Sequence, residues 1–161
     1  MPKTTLPSIT DIRQQFAQFS FAQHEIFHWS PIDHTIYYDQ TNLNTPEGIF
    51  QLLHEIGHAL CGHTNYTSGV QLVKIEAEAW DRAKQLAQSY DLKISSRQIE
   101  RCLDSYRDWL HLRSACPNCK TIAVETEANH YRCFNCLQHW KVPSNQTTRQ
   151  YRLKLANQLL Q

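Results

Sequence analysis

The chain has 161 residues, 41% of them hydrophobic and 11% aromatic, which suits one ordinary globular domain plus a small appendage. Net charge is +1, which argues neither for nor against a nucleic-acid partner; 10 Lys and Arg against 13 Asp and Glu over residues 1–113 and 6 against 2 over residues 114–161 give a tilt too mild to mark a nucleic-acid patch, so nucleic acid is a weakly supported partner. No basic start leads into an apolar run, and no stretch nears the roughly 18 apolar residues of a membrane span, so a soluble, cytoplasmic chain without membrane contact is expected.

In chain order, Ile9, Ile12, Phe16 and Phe19 fall at helical spacing over residues 8–20, with Ser8 or Thr10 as cap. The pattern then changes. From about 26 to 39, two short strands are expected on either side of a Pro31–Asp33 turn, and the second of them, in TIYYD, is a candidate for pairing with an extended substrate. Thr45-Pro46-Glu47 reads as a helix start: a hydroxyl cap, a proline in the first turn, and an acid near the positive helix end. That helix runs to about Cys61, where Gly62 stops it. Two more helices are predicted, one over about 70–90 and one from Ser95 to about Leu112, where Ser95 and Gln98 have capping-box spacing. Residues 114–142 are cysteine-bearing, with strand-like TIAV and HYR runs, and residues 143–161 read as a linker and short terminal helix at 149–160.

HExxH occurs twice, as HEIFH at 24–28 and HEIGH at 54–58. Histidines at i and i+4 converge on one ion only from a helix; along a strand they would stand roughly 13 Å apart. HEIGH lies inside the helix begun at Thr45, opposite an apolar side of Ile49, Leu52, Leu53, Ile56 and Leu60, on a polar side with no Lys or Arg. HEIFH precedes Pro31 by three residues, and the proline biases Ser30 toward extended backbone, so His24 and His28 read as surface or half-buried strand residues.

A catalytic zinc needs a third protein ligand. His63 misses the next histidine spacing by one residue and reads as a loop residue; the following histidine is His111. Downstream acids are Glu76 and Glu78. Glu76 interrupts the apolar stripe of its helix, as a ligand or as a core-edge carboxylate paired with an arginine. Glu78 falls between Lys74 and Arg82 on the far side, an ordinary surface arrangement.

LLHEIGHAL followed by IEAEAW resembles the zinc metallopeptidases of the ImmA/IrrE kind, over residues 46–90. The resemblance implies a zincin-like α+β core over residues 1–113, with His54, His58 and Glu76 as ligands of a catalytic zinc. It also implies Glu55 as the catalytic glutamate of an endopeptidase acting on a protein or peptide substrate, with a regulatory protease as one form of it. Trp80 stands where that family usually carries Asn or Asp. Oxyanion donors could be Tyr66, His63 or Tyr106.

Cys116-x-x-Cys119 and Cys133-x-x-Cys136, separated by thirteen residues, form a zinc-ribbon signature. All four positions are cysteine, so this second zinc is structural, in a segment with too little core to fold without it. Cys61 and Cys102 read as packed small residues. Two alternatives remain. One is an SprT-like protease, which requires a third histidine ligand; the other is a non-catalytic protein- or nucleic-acid-binding module in which both zincs are structural.

Overall fold

The computed structural model describes residues 5–144 and 152–155. It divides into two units, one of residues 1–65 with 75–99 and one of residues 66–74 with 100–161. The fold class is α+β.

In the first unit, helix α1 (Ile9–Gln15) is capped by Ser8, whose hydroxyl accepts the Asp11 N–H. It ends at Phe16, earlier than the apolar spacing suggested, because the chain turns into strand β1 (Ser20–Gln23). β1 pairs in parallel with β3 (Thr35–Tyr38), and β2 (His28–Ser30) pairs antiparallel with β3, giving the order β1-β3-β2. Thus β3, the strand of TIYYD, is central and has both edges occupied. It has no open edge for a substrate strand, which corrects that expectation; among the described residues the outer strands of this sheet are β1 and β2.

Helix α2 (Pro46–Leu60) starts where the sequence placed it, with Thr45 Oγ1 accepting the Gly48 N–H at 3.0 Å. Gly48 is needed there, since a Cβ would collide with the Asn42 carbonyl. The helix packs on β2 and β3, and Ile49, Leu52, Leu53 and Ile56 are fully buried. Its end is a Schellman turn: Gly62 is at φ +68°, its N–H bonds the Ala59 carbonyl, and the His63 N–H reaches back to the His58 carbonyl. Helix α3 (Gly69–Gln88) buries Ala79, Trp80, Ala83 and Ala87, the inward stripe read from its spacing. A Cβ at Gly57 would lie 2.5 Å from the Ala79 carbonyl oxygen, so at this point α2 leaves no room for a side chain against the backbone of α3.

The second unit holds most of helix α4 (Ser96–Ser114) and a four-stranded antiparallel sheet, β4 (Val124–Glu127), β5 (His130–Arg132), β6 (His139–Lys141) and β7 (Leu153–Leu155), in chain order. Gln98 N–H bonds Ser95 Oγ, as its capping spacing suggested. Cys116, Cys133, Tyr131, Trp140 and Val142 form a core around the cysteine turns. Arg113, 1% exposed, lies over the Trp109 ring and bonds Asn129 Oδ1 at 2.6 Å, while the Trp140 indole donates to the Arg113 carbonyl. The TIAV run is not a strand; β4 starts at its last residue. The terminal helix expected at 149–160 falls largely outside the described residues, and the described part, Leu153–Leu155, is a strand paired with β6. Among the described residues no helix is long and apolar enough to cross a membrane.

Candidate metal centres and active site

One turn of α2 and one turn of α3 bring three buried side chains to a point. His54, His58 and Glu76 are 5%, 8% and 7% exposed, and one donor atom from each lies within 4.8 Å of the others. His54 Nε2 and His58 Nε2 are 3.1 Å apart, His54 Nε2 is 3.0 Å from Glu76 Oε2, and His58 Nε2 is 3.4 Å from Glu76 Oε1. A tetrahedral ion with nitrogen and oxygen ligands at 2.0–2.2 Å would hold them roughly 3.3–3.6 Å apart. The triangle is within a few tenths of an ångström of that, and two imidazoles with one carboxylate is a donor set zinc accepts. The residues fit the ion. Burial alone would raise the Glu76 carboxyl, but hydrogen bonds from His54 and His58, and their charge, outweigh it and hold the group at about 2. It is therefore ionised across the neutral range. Its partners are His54 and His58, not an arginine.

Glu55, beside His54 on α2, is 9% exposed. Its Oε2 accepts the backbone N–H of Trp29 at 2.8 Å. Residue 29 lies in β2 opposite Ile36. A main-chain donor thus fixes the carboxylate without neutralising it, as a lysine or arginine would.

The second turn of histidine chemistry was missed from sequence. His63 is a loop residue, as read, but a buried one at 9% exposed, with its Nδ1 2.9 Å from His58 Nδ1 and its Nε2 3.0 Å from Glu78 Oε2. Glu78 is exposed, as its helical phase implied, and supplies that last contact. The legible signal was Gly62: a glycine in the turn after a helix sends the next residue back against the last turn, and here that brings His63 to His58. His54 has no such partner. Its ring stacks on Trp80 with centroids 4.3 Å apart, and its buried Nδ1 has no hydrogen-bond partner among the described residues.

HEIFH is not helical. A bend at Glu25–Ile26 precedes β2, and it brings the His24 and His28 rings to 5.0 Å, closer than the roughly 13 Å of a straight strand. His28 is half-buried and stacked on Tyr37, His24 is exposed, and among the described residues no third donor completes a cluster with them. Of the candidate oxyanion donors, His63 is engaged as above, and Tyr66 and Tyr106 belong to the second unit. A cleft of about 600 Å³ beside α1 and β1, lined by Arg13, Ala17, Phe19 and Phe21 among others, includes none of these site residues.

In the second unit Cys116, Cys119, Cys133 and Cys136 meet, all four sulfurs within 4.8 Å. Cys116 and Cys136 sulfurs are 3.5 Å apart, as are those of Cys119 and Cys133. Zinc–sulfur bonds of 2.3 Å imply a separation of roughly 3.8 Å, so this donor set also fits. Contacts with the Thr121 and Asn135 side chains hold the Cys119 thiol at about 5, ready to ligate as thiolate. Cys61 is exposed at the end of α2, and Cys102 is half-buried, so only the latter packs as its position suggested.

The family model for the IrrE N-terminal-like domain, Peptidase_M78, matches residues 9–149. No curated protein and no solved structure matches the chain. The match spans both units, and the chain belongs to that peptidase family.

Proposed function

We propose that this member of the IrrE N-terminal-like family is a zinc-dependent endopeptidase that hydrolyses peptide bonds in a protein substrate. The observation that carries the reading is the buried, ionised Glu76 shared by His54 and His58, next to a Glu55 whose Oε2 is held by the main-chain N–H of Trp29. His54, His58 and Glu76 would hold the ion, and the carboxylate in third place argues against the three-histidine, SprT-like alternative. A zinc ion there supplies Lewis acidity and brings the pKa of a bound water toward 7.

The chain's own contribution is proton handling and orientation. Glu55 takes a proton from the attacking water and returns it to the leaving amine nitrogen. With Oε2 anchored by Trp29, Oε1 is the oxygen for that exchange, and it needs no side-chain reorganisation between the two transfers. A purely structural zinc site would have no use for this glutamate, which weighs against a binding module. The Cys116, Cys119, Cys133 and Cys136 set would hold a structural zinc with no open position.

The test is digestion of a mixed peptide library by the zinc-loaded protein, read by mass spectrometry. Cleavage by wild type and none by Glu55→Gln at equal zinc content is the expected result. Equal cleavage by both proteins would refute the peptidase assignment.

A further inference from the structure

We infer that His63 and Glu78 form a hydrogen-bonded relay that fixes the tautomer and ring orientation of His58, making them positioning residues for the metal centre. This rests on the reading of His54, His58 and Glu76 as the ligand set. With Nε2 given to the ion, His58 would carry its proton on Nδ1, 2.9 Å from His63 Nδ1. His63 must then accept at Nδ1 and carry its own proton on Nε2, which points at Glu78 Oε2 3.0 Å away. One neutral tautomer of each ring satisfies both contacts, and the chain of donors runs in one direction to a carboxylate. Such an outer partner raises the basicity of the ligating nitrogen and removes its rotational freedom.

The main chain holds the relay in place independently of its side chains. The Schellman bond from His63 N–H to the His58 carbonyl sets the approach of the two residues, and the Trp29 indole N–H bonds the His63 carbonyl at 3.0 Å. The apolar contact that usually closes such a turn is here replaced by an imidazole pair. Glu78 is half-exposed, at 47%, whereas the His63 side chain is 8% exposed, so the relay runs from the ligand outward to the surface. His54 has only a stacked ring behind it, so His63 and Glu78 are the hydrogen-bonding support this centre has on its histidine side among the described residues.

Zinc affinity of the full chain, measured by competition with a chelator of known strength and by cobalt(II) absorption, tests the relay apart from turnover. His63→Leu keeps both main-chain bonds but removes the acceptor, and should weaken the histidine site by about 10–100-fold. Zinc held by the four cysteines should be unchanged, an internal standard for folding. His63→Asn, whose amide oxygen can replace Nδ1, should recover much of the loss. Glu78→Leu should weaken the site, Glu78→Gln should stay near wild type, and Glu78→Leu should add nothing in a His63→Leu background. Wild-type affinity in Glu78→Leu and His63→Leu, or equal loss in His63→Leu and His63→Asn, overturns the relay. If His63→Leu fails to fold, His63→Asn against Glu78→Leu and Glu78→Gln decides. His58→Ala separates the two claims: if it keeps both zincs, the ligand reading itself fails, whereas loss of one zinc with intact affinity in Glu78→Leu refutes the relay alone.

Discussion

Replacing Gly57 by alanine tests whether the approach of α2 to α3 builds the metal centre. In an exposed helix the change should stabilise the protein by about 1 kcal/mol through helix propensity. Here the new Cβ would sit 2.5 Å from the Ala79 carbonyl oxygen and 3.3 Å from the Ala79 carbonyl carbon and Cα. A carbon–oxygen contact relaxes at roughly 3.3–3.6 Å, so the helices must part by about 1 Å. Overpacking of that kind costs about 1–3 kcal/mol, enough to cancel or reverse the propensity gain. The effect on the site is larger, because His54 and His58 lie on one helix and Glu76 on the other. Metal–ligand distances tolerate about 0.2 Å, a fifth of the displacement. Zinc titration and calorimetry of Gly57→Ala should show at least tenfold weaker binding at the histidine site, no change at the cysteines, and no rise in the apo-protein's Tm. Wild-type zinc affinity with a higher Tm would refute the argument that backbone proximity sets the ligand spacing.

Other expectations rest on single contacts. Trp29→Phe removes the indole donor to the His63 carbonyl and should lower stability by about 1–2 kcal/mol in urea unfolding; because the backbone N–H to Glu55 survives, it should spare Glu55-dependent hydrolysis. His24→Ala should leave zinc content unchanged in elemental analysis, and loss of a zinc would reverse the choice between the two HExxH copies. Cys133→Ser should release one zinc and expose amides of residues 116–142 to hydrogen exchange, while slow exchange throughout that segment would contradict a metal-dependent fold.

Much of the centre was legible because its determinants are local. Thr45, Pro46 and Gly62 fix the ends of α2, periodicity alone turns Glu76 inward, and cysteine spacing marks the ribbon. Contacts made across the fold were not legible. The parallel pairing of β1 with β3 links residues 15 positions apart in register and leaves no local trace, so TIYYD looks like an edge in sequence although it is the centre. The anchor on Glu55 is a backbone N–H, a group every non-proline residue carries, and so has no signature in side-chain spelling. Glu78 is the surface acid its phase implied, but its contact with His63 was not legible, because helical phase describes one helix at a time and His63 arrives from the turn after another. Residues 24–28 likewise matter less for their five letters than for leading into β2, the strand that delivers Trp29 to Glu55.

The central claim is that a buried ion held by His54, His58 and Glu76 is used for hydrolysis with Glu55 as the proton carrier. Zinc per folded chain, measured with peptide cleavage in the same samples, addresses it most directly. Wild type should hold two zincs and cleave, Glu76→Ala should hold about one and not cleave, and Glu55→Gln should hold two and not cleave. Two zincs in Glu76→Ala, or undiminished cleavage by Glu55→Gln, would contradict the account.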